Sequence, residues 1–234
     1  MELDGSTSHD FNVGSIVFLP KKPAGNDPLF GDYYTAADMR PLTIVNTDNR
    51  LITNAYRLRA EPALAAWISD MQRGFLSDRS MLANVVDVEH DAQEVALTEE
   101  AGATFLFDFK AAFPSISHAF IHRILAKLGV PAEFRRMVRS LYDDQRCAIH
   151  WGGSTHAGFD IAAGVRQGCP LSPLLFVLVL DPFLRRMHRA LPDATIRAFA
   201  DDIAVVSRRL WRDLPILNRL YFDMARVSGM ELNL

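Results

Sequence analysis

The stretch "IRAFADDIAVVS", Ile196 to Ser207, places two carboxylates between apolar runs. The flanks of Asp201 and Asp202 read as two strands of a buried sheet, with the acidic pair at the turn of a hairpin. Asp favours polar turns, so the pair alone has a plain structural explanation. A second stretch sharpens the question. "ATFLFDF" (103–109) is a nearly continuous apolar run, the pattern of a buried central strand, with Asp108 inside it. A buried carboxylate is costly unless it is paired, hydrogen-bonded or bound to a metal. Three such groups in two apolar strands call for one shared explanation. Neighbouring strands would bring Asp108, Asp201 and Asp202 to one point. A small oxygen-only donor set suits Mg²⁺, which keeps waters and takes further ligands from a substrate phosphate.

The bulk numbers fit a folded domain. The chain has 234 residues, 49% of them hydrophobic and 23% charged, enough for one large domain or two small ones. The net charge of −3 gives no general attraction for nucleic acid, so any such site must be a local basic patch. Cys147 and Cys169 form neither a disulfide framework nor a metal-ligand spacing, which fits a reducing, intracellular setting. The acidic start "MELDGSTSHD" is no secretory signal, and the longest apolar run, "LLFVLVL" (174–180), is too short to span a bilayer.

Along the chain, "SIVFLP" (15–20) and "LTIV" (42–45) read as strands, and the Gly-, Pro- and Asp-rich stretch between them as a loop. Helical spacing runs from Asn49 to Ser69, with Asp48 or Asn49 as N-cap. Ser80 caps a helix to about Glu100, closed by Gly102. Further helices are expected over 117–128, from Pro131 to Tyr142, from Ser172 to Arg189, and over 209–228 ending at Gly229. Gly152–Gly153 marks a hairpin.

Taken together, "FLFDFKAAF" (105–113), "GVRQGCPLSPLLF" (164–176) and "FADD" (199–202) resemble polymerase motifs A, B and C in order and spacing. They are most similar to the reverse transcriptases of the non-LTR (LINE-type) retrotransposon branch. "FLPKK" (18–22), "RPLTIVNTDNRLI" (40–52) and "QRGFLSDRS" (72–80) resemble finger segments of that family, and "SGMELN" (228–233) resembles a later one. The bare Asp pair is weak evidence; "RQGCPLSP" with "FADD" downstream and D-x-x-x-A-F upstream is strong. The resemblance implies an α+β, right-hand polymerase fold. Fingers would span 1–102 and 121–160, and the palm, an antiparallel sheet packed on helices, 103–120 and 161–234. It implies two Mg²⁺ ions, with Mn²⁺ a possible substitute, held mainly by Asp108 and Asp201 and supported by Asp202. It also implies an RNA template, a DNA or RNA primer, dNTPs as substrates, and a nuclear location. Phe113, beside Ala112, matches the aromatic under the incoming sugar, where a ring excludes a 2′-hydroxyl. Gln167 and Gly168 match the loop that meets nucleotide and template. Arg40, with Lys21 or Lys22, matches the grip on the triphosphate, where the Arg fork pairs phosphate oxygens.

Other basic groups divide in two. Arg135, Arg136 and Arg139 are candidates for phosphate-backbone contact, whereas Arg185, Arg186 and Arg189 near a helix C-terminus read as structural. Trp67, Trp151 and Trp211 read as packing. Pro114 stands where this branch often has an acidic residue, and Phe199 where many reverse transcriptases have Tyr. The family's Lys after "GMELN", its primer grip and its thumb have no counterpart in the 234 residues, nor do an endonuclease, an RNase H region or a zinc knuckle. The chain by itself is therefore expected to fold with its palm intact and to extend primers poorly or not at all. A catalytically silent remnant that binds RNA or protein remains the alternative, with an RNA-directed RNA polymerase a weaker one. A group II intron-type enzyme is a near relative.

Overall fold

The helix opened by Ser172 and Pro173 is the axis of the core. The computed structural model describes residues 11–35 and 38–233. In it, α6 (Ser172–Ala190) buries Leu174 through Leu180 and Leu184 on every face. A helix that is apolar all round belongs in the interior, and here it is wrapped by a three-stranded antiparallel sheet and helices on both sides.

Upstream of α6 lie β1 (Val13–Pro20), β2 (Gly25–Asp27), β3 (Gly31–Tyr33), β4 (Met39–Val45), α1 (Thr47–Trp67), α2 (Met81–Thr98), β5 (Ala103–Phe107), α3 (Ala112–Ser115), α4 (His118–Lys127), α5 (Ala132–Tyr142), β6 (Arg146–Trp151) and β7 (Ser154–Asp160). Downstream lie β8 (Thr195–Phe199), β9 (Asp202–Ser207) and α7 (Leu210–Ser228). Ser80 caps α2 as expected, its Oγ accepting from the Leu82 N–H at 3.2 Å. Gly229 ends α7 at a φ of +80°, a conformation glycine adopts without penalty. Helix α1 starts at Thr47, after Asn46, rather than at Asp48 or Asn49. Among the described residues, no helix is long and apolar enough to cross a membrane.

Two sheets organise the molecule. One has the order β4-β1-β6-β7, with β1 and β6 parallel and Val13 opposite Arg146, so the start of the chain meets a hairpin more than a hundred residues later. The other has the order β5-β9-β8 and is antiparallel throughout. The expected loop between β1 and β4 contains a small hairpin, β2–β3, because the Asp27 carboxylate accepts from the N–H groups of Leu29 and Phe30 at 2.8 and 3.0 Å and closes the turn.

The run 103–109 is not a central strand. β5 is an edge strand, paired on one side with β9. Its Phe105 and Phe107 join Ile196, Ala198, Ile203 and Val205 on the face toward the core, while Leu106 on the other face is 80% exposed. The apolar continuity of the sequence hid this alternation. Helix α2 lies across that second face, packed on β8 and β9 more than on β5. There Asn84 donates to the Ala198 carbonyl at 2.9 Å, and Asp87 accepts from Arg197 and Arg73, each at 2.7 Å. The Arg197 hydrogen bond, with Arg73 adding to it, holds the Asp87 carboxyl below the usual range against the opposing effect of desolvation.

Arg185 and Arg186 are structural, as their place in the sequence suggested. Arg185 pairs with the buried Asp181 at 2.6 Å and lies 4.8 Å over the Trp67 ring, and Arg186 pairs with Asp223 at 2.6 Å. Core dependence on α6 is directly measurable. Leu178→Ala is expected to lower unfolding free energy by about 2–5 kcal/mol in a denaturant titration. The exposed Leu97→Ala should stay within about 0.5 kcal/mol. Equal effects would contradict the placement of α6 at the core axis.

Candidate active site

β5 and β9 end together. Their register pairs Phe107 with Ile203, so the next residue outward on each chain, Asp108 and Asp202, stand side by side at the same sheet end. Strand alternation puts both on the face opposite the core, where they line one cleft with Leu106, Phe199 and Ala204. Asp201 precedes Asp202 in the hairpin turn. Phe199 pairs with Asp202, leaving Ala200 and Asp201 as a two-residue connection. Thus Asp201 occupies the turn, while Asp202, expected in it, is already the first residue of β9.

The three charges act on one another. Burial pushes the Asp201 carboxyl above the usual carboxylate range, and the Asp202 and Asp108 charges add to it. Asp202 is raised by desolvation and by Asp108. Among the described residues, no Lys or Arg pairs with any of the three. Asp108 is instead tied to the end of the described chain. Its carbonyl accepts from the Asn233 N–H at 2.9 Å, and the Asn233 side chain donates to its carboxylate at 3.1 Å. An oxygen-only donor set with uncompensated charge fits a hard divalent cation. The carboxylates are not all within 4.8 Å of one another. Among the described residues, the group that meets that spacing is His90, Asp91 and Glu94 on α2. Its Asp91 already accepts from Thr195 at 2.5 Å and its Glu94 pairs with Arg208 at 3.0 Å, so it reads as surface polar packing.

The loop that opens the second expected segment is bonded to the end of the first and the turn after it. The Gly164 N–H donates to the Ile116 carbonyl and the Val165 N–H to the Phe113 carbonyl, both at 2.7 Å. Gly164 has a φ of +92°, and a Cβ there would lie 2.6 Å from the Pro114 Cα, so only glycine permits this approach. Gly168, at φ +102°, would place a Cβ 2.3 Å from the Thr43 carbonyl oxygen, locking the loop to β4. Gln167, half-buried, lines a groove with Thr43, Pro41 and Pro114. Ala112 is buried, and the Phe113 ring stacks on Phe176 at 4.5 Å between centroids.

Arg40, Lys21 and Lys22 are not brought to the carboxylates by any contact. They are exposed at the loop end of the β1–β4 hairpin, where Leu19 pairs with Arg40. One aromatic was missed. Phe75, at φ +58° and 44% exposed, sets its edge against Phe113 at 5.9 Å and also faces Phe199 at 6.5 Å. It lies in the quoted "QRGFLSDRS", but no residue pattern distinguishes an exposed Phe from a core one.

Residues 19–234 match the family model of the reverse transcriptase (RNA-dependent DNA polymerase). The chain is 28% identical over 207 residues to the transposon TX1 uncharacterized 149 kDa protein of Xenopus laevis, covering 83% of this chain and 15% of that protein. It is 28% identical over 242 residues to the Pol polyprotein of the R2DM retrotransposable element of Drosophila melanogaster, covering 98% and 21% respectively. The chain therefore spans a minor part of these relatives. In fold it is similar to telomerase from Candida tropicalis. The apo enzyme truncated from its C-terminal domain superposes with a TM-score of 0.64 at 12% identity, covering 97% of this chain and 50% of that one. The complex with a telomeric RNA fragment gives 0.68 at 13%, covering 97% and 40%. The two sheets and their helices thus form a palm-and-fingers polymerase fold. The chain belongs to the reverse transcriptase family, on its non-LTR retrotransposon branch.

One histidine supports the motif B loop. His118 begins α4, its ring stacks on Tyr142 at 4.7 Å, and its Nε2 lies 2.8 Å from the Gly164 carbonyl. Burial holds its pKa below the ordinary value and the nearby Arg166 adds to the lowering, against the Gly164 bond and Asp143. A depressed histidine pKa makes the folded state prefer the neutral ring. Its contribution is therefore full above the unfolded value of about 6.5 and lost as pH falls through the folded value. Melting temperature is expected to drop more steeply on acidification below about pH 6.5 in the wild type than in His118→Gln. Parallel curves would contradict the burial effect.

Proposed function

We propose that this domain is an RNA-directed DNA polymerase centre that joins dNTPs to a primer 3′-hydroxyl on an RNA template. The observation that carries this reading is the convergence of Asp108, Asp201 and Asp202 at one end of the antiparallel sheet, with the segment of Phe113 hydrogen-bonded to that of Gln167 beside them. Asp108 and Asp201 would hold two Mg²⁺ ions with Asp202 in support, and Mn²⁺ would fit the same oxygen donors. When bound, such ions activate the attacking hydroxyl and stabilise charge on the phosphate and the leaving pyrophosphate.

The chain's own residues do the rest by position. The three carboxylates fix where cations and phosphates sit. Phe113, held flat by Phe176, presents a wall that a ribose 2′-hydroxyl would strike. Gln167 lines a groove that would take template and nucleotide, and Gly168 beside it holds the loop against β4. Arg40, Lys21 and Lys22 stand ready at the finger hairpin to draw in a triphosphate, a role that requires the β1–β4 end to close over the site. The four-stranded sheet, built from segments 13–45 and 146–160, corresponds to the fingers, and the three-stranded sheet to the palm. Helix α2, in the segment assigned from sequence to the fingers, is seated on the palm sheet, so in our reading residues 81–102 go with the palm.

Primer extension on an RNA template with Mg²⁺, by the chain alone and joined to a thumb from an R2 relative, tests the proposal. DNA product is expected at least with the thumb, reduced by about a hundredfold or more in Asp201→Asn. No product from either protein would favour the silent remnant. In the active protein, Phe113→Val should raise ribonucleotide relative to deoxynucleotide incorporation by about tenfold or more. Unchanged selectivity would return Phe113 to a packing role.

A further inference from the structure

Ala200, the residue before Asp201, has a φ of +58°. In a two-residue hairpin connection, a positive φ at the first position is the pattern of a type II′ turn, where glycine is the favoured residue. An alanine holds that conformation only where its surroundings enforce it. The enforcing group is Gln72. Its side chain is wholly buried, and its amide addresses both backbone groups of Ala200. Nε2 donates to the Ala200 carbonyl at 2.9 Å, and Oε1 accepts from the Ala200 N–H at 2.9 Å. Oε1 also accepts from the Gly74 N–H at 2.8 Å. Two N–H groups face the oxygen and one carbonyl faces the nitrogen, so the network itself sets the amide's orientation.

The clamp is built into the sheet. The Ala198 N–H donates to the Met71 carbonyl at 2.7 Å, and the Arg73 N–H donates to the Ala198 carbonyl at 2.9 Å, so segment 71–73 runs along the outer edge of β8. A Cβ on Gly74 would lie 2.2 Å from the Ala200 nitrogen, so a side chain there would push the turn away. Behind the segment, the Arg79 guanidinium donates to the carbonyls of Gln72 (2.7 Å), Ser69 (2.6 Å), Ile68 (2.9 Å) and Ala65 (3.1 Å). The glutamine is thus fixed at its backbone by a cation that touches none of the three carboxylates.

We propose that Gln72 is a positioning residue for the carboxylate turn, holding Ala200 in its left-handed conformation so that Asp201 and Asp202 are aimed beside Asp108. Its consequence for turnover rests on the polymerase reading above. The glutamine amide offers a donor and an acceptor side by side: a glutamate would set a carboxylate oxygen against the Ala200 carbonyl, and an asparagine is one methylene short.

The test compares wild type, Gln72→Ala, Gln72→Glu and the double variant Gln72→Ala with Ala200→Gly, after circular dichroism shows each to be folded. Three quantities are read: hydrogen exchange of the Ala200 amide, Mn²⁺ affinity by electron paramagnetic resonance, and kcat and KM for dNTP in the thumb-joined protein. In Gln72→Ala the amide should exchange roughly tenfold faster. Mn²⁺ affinity should weaken several-fold, and kcat should fall by up to about a hundredfold with KM for dNTP little changed. Gln72→Glu should resemble Gln72→Ala. Ala200→Gly should restore much of the Mn²⁺ affinity and kcat, because glycine adopts the turn unaided; a loss of mere packing would not be restored. Unchanged exchange in Gln72→Ala, unchanged Mn²⁺ affinity and kcat, or no rescue by Ala200→Gly would overturn the inference. A wild type that neither binds Mn²⁺ nor extends primers would overturn the polymerase reading instead, and Ala200 exchange would still decide whether the clamp exists.

Discussion

Mutual repulsion among Asp108, Asp201 and Asp202 is the constraint around which the fold is arranged. All three lie at one sheet end, Asp201 half-buried and Asp108 and Asp202 exposed, and desolvation first and like charge second make Asp201 and Asp202 harder to ionise than an ordinary Asp. Folding must hold them there against that repulsion. The antiparallel register of β5 and β9 does so rigidly, because a one-residue slip would turn every side chain of the strand to the other face. Phe105, Phe107, Ile203 and Val205 prevent the slip by being locked into the core around α6 and α7. The hydrophobic face of the palm sheet is thus what fixes the direction of its polar end.

Reach from that end to the rest of the site is by backbone contact. The loop before α6 closes onto the turn after Asp108 through Gly164 and Val165, and Gly168 meets β4 of the other sheet. Segment 71–74 closes onto the hairpin turn from the opposite direction. Five stretches distant in sequence therefore share hydrogen bonds or van der Waals contact, and in three places only a glycine leaves room. That arrangement makes the site stiff without a single ion pair among the described residues at its carboxylates, and leaves their charge available to a cation.

Much of this was legible in the sequence because its signals are local. Ser80, Pro173 and Gly229 mark helix ends by capping and by φ, and the D-x-x-x-A-F, RQGCPLSP and FADD stretches identify the chemistry by residue type. What was not legible depends on pairing between distant segments. The edge position of β5 was missed because Leu106 and the two Phe residues look alike in a hydrophobic run, although Leu106 lies on the face away from the core and β5 has a partner strand on one side only. The short β2–β3 hairpin was missed because its closing bonds come from one Asp27 carboxylate amid loop-forming residues. Gln72 and Phe75 were quoted inside a finger segment, yet nothing in that stretch reveals that one clamps Ala200 and the other edges onto Phe113. Arg40, Lys21 and Lys22 stand exposed at the β1–β4 end without a contact to the carboxylates, a placement that no strand pattern encodes.

Three carboxylates gathered at one sheet end should bind a divalent cation. Anomalous diffraction from crystals of the chain grown with Mn²⁺ addresses it most directly. A manganese peak is expected between Asp108 and Asp201, with carboxylate oxygens at about 2.0–2.2 Å, weakened or lost in Asp201→Asn. Manganese bound only at His90, Asp91 and Glu94, with none at the strand ends, would contradict it.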